Sequence, residues 1–136
     1  MSATLLCDIV TPERLIYSAE VNFVAVPASE GEIGFLAGRS PVMSTLNSGL
    51  VRVKPEENSA MLRFAVAGGY VEGDGRKIVV LANRATNVDE VELDYVKEKI
   101  TETEQKLKAL SEGDAQVAFF TAELNWYQLL ENYAKR

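Results

Sequence analysis

Histidine is missing from all 136 residues of the sequence, and cysteine occurs once, at Cys7. Without histidine the chain lacks the commonest general base and the commonest zinc ligand together, so most hydrolase and metalloenzyme chemistries have no residue to start from. Its Ser and Thr hydroxyls have no imidazole to activate them, nor has the Cys7 thiol. A single cysteine closes no internal disulfide, so the fold must hold by packing alone, as expected of a reducing compartment. Long apolar runs are also lacking. No segment approaches the roughly 18 uninterrupted apolar residues that a spanning helix needs. The opening stretch Met1 to Asp8 has no basic region and its apolar run is broken by Asp8, so it does not read as a secretory signal. Work at a membrane would require another protein to hold the chain there.

Basic residues are outnumbered, 14 Lys and Arg against 20 Asp and Glu, for a net charge of -6. Phosphate binding draws its affinity from clustered cations, so nucleic acid and anionic membrane surfaces are disfavoured as partners. The acidity is uneven: basic and acidic residues number 8 and 9 up to residue 85, then 6 and 11 beyond it. What is present is ordinary globular material, 47% hydrophobic and 25% charged, long enough for a compact domain with a helical appendage.

Up to residue 85, apolar residues come in brief runs punctuated by turn residues, the pattern of an all-β region. The clearest strands are Leu5 to Val10, Glu20 to Val26, Leu50 to Lys54, Met61 to Ala67 and Lys77 to Ala82. Leu62, Phe64 and Val66 alternate with Arg63 as a half-buried strand requires. Pro55-Glu56-Glu57-Asn58 and Gly73-Asp74-Gly75 supply turn residues between strand pairs. Short connections imply antiparallel pairing, and seven to ten such strands cover their apolar faces best as a sandwich or flattened barrel.

After Ala85 the period changes. Leu93, Val96, Ile100, Thr103, Leu107 and Leu110 are spaced alternately 3 and 4 apart, the seam of an amphipathic helix. Asn87 or Asp89 can cap its start, with Glu90 or Glu92 as the reciprocal partner. Ser111-Glu112-Gly113-Asp114 then stops this helix and starts a second, roughly Ala115 to Ala134, with Gly suiting the C-terminal cap and Asp the next N-terminal cap. So short a connection makes the pair antiparallel. The second helix carries Phe119, Ala122, Trp126, Leu129 and Tyr133 on one stripe and Val117, Phe120, Leu124 and Tyr127 on another. Two stripes exceed what one partner helix covers, so a further surface is needed, either the sandwich or another protein. The expected architecture is α+β: an N-terminal antiparallel β-sandwich over 1–85 and a C-terminal antiparallel two-helix hairpin over 86–136.

No residue constellation reads as catalytic, and no metal or cofactor site is expected. The Gly31 to Gly38 stretch lacks the Lys-Ser/Thr end of a phosphate-binding loop and leads into no helix, which favours an irregular turn between strands. Carboxylate pairs such as Glu30/Glu32, Glu56/Glu57 and Asp89/Glu90 lie on turns and caps, where solvation is the ordinary reading. Phe119-Phe120 and Trp126-Tyr127 could stack on bases, but residues 111–134 hold no Lys or Arg for the accompanying groove.

Taken together, two motifs resemble a known family. Glu30-Gly31-Glu32-Ile33-Gly34-Phe35-Leu36-Ala37-Gly38-Arg39-Ser40-Pro41 is similar to the loop of ATP synthase epsilon subunits, in which Gly-Glu-x-Gly precedes an apolar pair, Gly-His and a Pro. Gly68-Gly69-Tyr70-Val71-Glu72, with Lys77 to Ala82, resembles the family's Gly-Gly-Phe-x-Glu-Val turn and its closing strand. Val10-Thr11-Pro12 matches the family's start, so the likeness spans the chain.

The resemblance implies a non-catalytic central-stalk subunit of an F-type ATP synthase that couples proton transport to rotary ATP synthesis. Its sandwich would bind the gamma subunit and the c-ring, and its hairpin, if extended, would reach the alpha and beta subunits. Location would be the cytoplasmic face of the bacterial cell membrane, peripheral, with the plastid thylakoid as the alternative. Glu30, Gly31, Glu32, Ile33, Gly34, Phe35, Arg39 and Pro41 would form the rotor-facing contact. Arg39 stands where the family usually has His, which fixes a positive charge there.

Nucleotide-binding members carry Ile/Leu-Asp-x-x-Arg-Ala-x-x-Ala-x-x-Arg on the first helix. Leu93 and Asp94 match, but Lys97, Glu98, Thr101 and Glu104 replace the two Arg and two Ala. Lys lacks the bidentate fork and Glu repels phosphate, so weak or absent ATP binding is expected. Inhibitory members present basic residues on the second helix, and here none occurs before Lys135 and Arg136; regulation of hydrolysis by the hairpin would be weak. Two other classes compete: a free-standing sandwich adaptor that recruits a different helical protein, and a ligand-binding or enzymatic sandwich, which would need a concave apolar pocket with convergent polar groups.

Overall fold

The computed structural model describes residues 3–134, so Lys135 and Arg136 lie outside the described residues. The chain divides into two compact units, with the boundary between Asn87 and Val88. The first holds ten strands: β1 (Leu5–Val10), β2 (Leu15–Val21), β3 (Phe23–Ala28), β4 (Gly31–Phe35), β5 (Val42–Leu46), β6 (Gly49–Lys54), β7 (Leu62–Val66), β8 (Gly69–Gly73), β9 (Lys77–Ala82) and β10 (Ala85–Asn87).

These strands form one continuous sheet in the order β10-β7-β6-β3-β5-β8-β9-β1-β2, with β4 on the other edge of β3. The sheet doubles over at β3. Phe23 to Ala25 pair with β6, whereas Ala28 pairs with Leu46 of β5, so one strand passes from the first layer into the second. Inward residues of both layers meet in a single core. Cys7, Ile9, Val71, Ile78 and Val80 come from one layer, and Val24, Val26, Val51, Val53 and Phe64 from the other. The Tyr17 and Phe64 rings touch across it at a centroid distance of 5.3 Å. The alternating burial of β1 and β6 is the period-2 pattern of strands with one face inward.

The sandwich and the two-helix hairpin stand as expected, and the sandwich differs in three details. Glu20 to Val26, expected as one strand, is two: Asn22 separates β2 from β3, its N–H donating to the Lys54 carbonyl at 2.8 Å. The break lets β2 serve β1 while β3 serves β4 and β6. Gly31 to Phe35, expected as part of an irregular turn, is strand β4, paired along its length with β3. One pairing is parallel, β1 with β9, in a sheet otherwise antiparallel.

The second unit begins with a 3-10 turn (Val88–Glu90), followed by α1 (Leu93–Ala109) and α2 (Gln116–Tyr133). Along the α1 seam Val96 and Thr103 are buried, and Leu93, Ile100, Leu107 and Leu110 are half-buried. The Thr103 hydroxyl is accommodated by donating to the Lys99 carbonyl at 2.7 Å. Neither Asn87 nor Asp89 caps α1. The 3-10 turn intervenes, and the cap position falls to Glu92, which makes no side-chain cap bond.

Asp114 does receive the start of α2, its Oδ1 accepting the Gln116 N–H at 2.8 Å. Gly113 is not the cap of α1, which ends at Ala109 with Leu110 as its C-cap. It is the third residue of a tight turn closed by the Asp114 N–H on the Ser111 carbonyl, a place whose φ of 86° suits glycine. On α2, Trp126 and Leu130 are buried, while Val117, Phe120, Leu124 and Tyr127 are half-buried. The other expected stripe is broken, because Phe119 and Ala122 face solvent. Lys106 of α1 sits 5.4 Å from the Phe120 ring centroid, tying the two helices near their connection.

Candidate functional site

The segment from Glu30 to Pro41 runs out of the β3–β4 turn, along β4 and around a second turn into β5. Period 2 sorts its side chains. Phe35 is buried in the core, and Ile33 is half-buried and packs against it. Glu32 points the other way and its Oε1 accepts from Arg52 Nη2 at 2.7 Å. Glu30, Arg39 and Pro41 are exposed.

Beyond β4 the chain turns tightly at Leu36 to Arg39, closed by the Arg39 N–H on the Leu36 carbonyl at 3.3 Å. Gly38 has φ 83°, as the third position of such a turn demands. Arg39 folds back over the strand it has left. Its Nη1 donates to the Gly34 carbonyl at 2.9 Å, and its guanidinium carbon lies 5.9 Å from the Phe35 ring centroid. The charge at this position thus serves as a brace across the turn.

The turn does not stand alone. The Gly38 N–H donates to the Gly75 carbonyl at 2.9 Å, and a Cβ at Gly75 would come within 2.4 Å of the Arg39 carbonyl oxygen. The Leu36–Arg39 turn therefore rests on the β8–β9 turn, so the Glu30–Pro41 loop meets Gly73-Asp74-Gly75 at one end of the sandwich, while the Gly68-Gly69 turn lies at the other end of β8. Leu36 stands clear of both with 55% of its surface exposed. It was left out of the expected contact residues, yet the signal was available: Leu36 is out of phase with Ile33 and Phe35, so it must point outward.

A second outward surface lies on the layer β5-β8-β9-β1-β2. Thr45, Tyr70, Leu81, Val10 and Leu15 are in register across the five strands. Tyr70 is 37% exposed, Leu81 48% and Leu15 56%. An exposed apolar strip of this kind is a mark of association.

Cys7 is fully buried on the inner face of β1, and burial, with a smaller push from the Asp8 charge, raises its thiol to about 12. Such a thiol is inert. Among the described residues, no cluster of three or more Cys, Asp or Glu is placed to hold a metal ion, and no helix is long and apolar enough to cross a membrane. On α1, Asp94, Lys97, Glu98, Thr101 and Glu104 are exposed and Leu93 is half-buried. The Thr101 hydroxyl donates back to the Lys97 carbonyl at 3.2 Å.

Residues 4–88 match the family described as ATP synthase, Delta/Epsilon chain, beta-sandwich domain. An ATP synthase epsilon chain from Desulforudis audaxviator is 41% identical over 107 residues, which is 79% of this chain and 77% of that one. One from Bacillus pumilus is 36% identical over 115 residues, 85% of this chain and 86% of the relative. Among solved structures, a chain of the Euglena gracilis mitochondrial ATP synthase OSCP/F1/c-ring assembly superposes with a TM-score of 0.73 at 19% identity, over 97% of this chain and 82% of that one. At that identity the likeness is one of fold.

Proposed function

The chain belongs to the ATP synthase delta/epsilon chain family, and on that premise we propose that its sandwich binds the gamma subunit while the end carrying Glu30 to Pro41 meets the ring of c subunits. As an epsilon chain it is a non-catalytic subunit of the central stalk. Its task is mechanical, to couple ion flow to rotation while no bond is made or broken on it.

The observation that carries this reading is the tie between the Leu36–Arg39 turn and the β8–β9 turn, through Gly38 and Gly75. A loop that transmits force must not yield, and this one is braced on both sides, by Arg39 on Gly34 and by Gly38 on Gly75. Because Ile33 and Phe35 are committed to the core, the contact itself falls to Glu30, Leu36, Arg39 and Pro41. Gamma docks on the outer strip of Tyr70, Leu81, Val10 and Leu15, whose exposed apolar surface suits a lasting partner.

In this proposal 1–85 is the docking body and 86–136 an appendage that reaches the alpha and beta subunits only when extended. Its regulation of ATP hydrolysis is weak, because α2 offers no basic residue within 116–133. Nucleotide binding is weak or absent, because Glu98 and Glu104 stand where small and cationic groups would be needed. The whole sits peripherally on the cytoplasmic face of a bacterial cell membrane, held there by the complex.

Gel filtration of the full chain with gamma and c-ring from its own source tests this. Co-elution with both is expected. Leu36→Arg should lower retention of the ring while leaving gamma bound, and a chain that eludes both partners would remove the proposal.

A further inference from the structure

Below the apolar strip, the outward face of the same layer hollows. Pro41, Val42, Met43 and Val79 wall a concavity of about 260 Å³, and Glu72 and Asp74 stand at it. Met43, Glu72 and Val79 are cross-strand neighbours on β5, β8 and β9, so one apolar side chain flanks the Glu72 carboxylate on each side. Met43 is 62% exposed.

The charges here do not cancel. Lys77 also borders the concavity, but its Nζ is directed to Asp8 Oδ2 at 3.6 Å. The Asp74 Oδ1 accepts the Arg76 and Lys77 N–H groups at 3.0 and 3.1 Å, leaving Oδ2 outside those bonds. Those backbone bonds also hold the carboxyl below its ordinary range. Apolar walls with two carboxylates at the mouth describe the complement of a long cationic side chain, whose methylenes bury while its head stays paired. The volume falls below the roughly 300 to 1,000 Å³ typical of small-molecule pockets, yet it is ample for one side chain. A pair of carboxylates favours the planar, weakly hydrated guanidinium over an ammonium.

We propose that this concavity receives a single arginine side chain of the gamma subunit and acts as the anchoring point of that interface. The inference rests on the reading that gamma docks on the sandwich. It makes Glu72 the specificity-determining residue and Met43 and Val79 the walls of the slot, with the apolar strip as the surrounding seal. Anchors of this kind, an arginine in a desolvated pocket, carry a disproportionate share of interface energy.

The test measures binding of purified gamma to the immobilised full chain, wild type against Glu72→Gln. Glu72 is exposed, so the variant should melt with the wild type. The expected result is a loss of at least about tenfold in affinity, mostly as faster dissociation. In parallel, butylguanidinium at about millimolar concentration should shift the backbone NMR signals of Met43, Gly73 and Val79 in the wild type and not in Glu72→Gln. If gamma binds the variant within about twofold of the wild type and butylguanidinium leaves those signals unmoved, the slot is overturned while the stalk reading survives. If wild-type chain fails to bind gamma at all, both fall.

Discussion

Replacing Gly75 by alanine should loosen the proposed rotor contact without touching it. Gly75 has φ 86° and Gly38 has φ 83°, so an alanine at either site carries the same left-handed penalty, roughly 1 to 2 kcal/mol. The surroundings differ. A Cβ at Gly38 meets nothing within 4 Å, whereas at Gly75 it meets the Arg39 carbonyl oxygen at 2.4 Å and the Arg39 nitrogen at 2.9 Å. Backbone cannot swing aside as a side-chain tip can, so the Leu36–Arg39 turn must lift, at a cost on the order of 1 to 3 kcal/mol for overpacking. The Gly38 to Gly75 hydrogen bond goes with it, worth about 0.5 to 1.5 kcal/mol. Gly75→Ala should therefore be less stable than Gly38→Ala by about 2 to 4 kcal/mol, well inside the 5 to 15 kcal/mol that holds a typical domain. For a unit of this size that is a gap in Tm of roughly 10 °C or more. Thermal melts of the two full-length variants, with hydrogen exchange read at the Gly38 amide, measure both parts. Equal melting temperatures with unchanged protection at Gly38 would refute the idea that the loop rests on the β8–β9 turn.

Three other outcomes follow from the geometry. Cys7 should resist thiol reagents at pH 8 until the chain is unfolded. Because its folded thiol lies near 12 against an ordinary 9.0, its contribution to stability is complete below pH 9. It is lost as pH rises from there toward 12, by up to about 1.4 kcal/mol per unit. Denaturant titrations of wild type and Cys7→Ala across that range should converge if this is right, and parallel curves would count against it. Millimolar ATP should leave the melting temperature of the chain within about 1 °C, and a saturable rise would show that Lys97 and its neighbours bind nucleotide after all. Asp114→Ala should lower hairpin stability by about 1 kcal/mol, the usual worth of a carboxylate at a helix start, seen as an earlier loss of helical circular dichroism.

Local pattern carried much of this fold. β1 and β9 coincide with the short apolar runs Leu5 to Val10 and Lys77 to Ala82, and the α1 seam from Leu93 to Leu110 is buried or half-buried at every position. What local pattern missed was set by partners distant in the chain. Nothing between Glu20 and Val26 announces a break at Asn22, because alternation continues through it and the reason for the break is a change of neighbouring strand. β4 hid behind its glycines: Gly31 and Gly34 look like turn residues, yet they pair with Ala28 and Ala25. The caps of α1 were misplaced because a 3-10 turn and an α-helix start with the same acidic residues. The candidate site was legible in halves. The Glu30–Pro41 loop and the Gly73-Asp74-Gly75 turn each stood out by their glycines, but their meeting depends on β5 joining β8 in the sheet, which no short window of sequence contains.

The parallel pairing of β1 with β9 sets the timing of birth for this protein. β1 leaves the ribosome well before β9, so residue 6 must wait for residue 77 before its parallel neighbour exists. β2 can pair with it at once as a hairpin, but such a hairpin is marginal alone. The layer that holds β1 therefore cannot be completed until β9 is synthesised, and the apolar face of β1 stays open to chaperones or to misassembly until then. A peptide extension fused ahead of β1 would burden the slowest-forming seam of the sheet, so affinity tags belong at the other end of the chain.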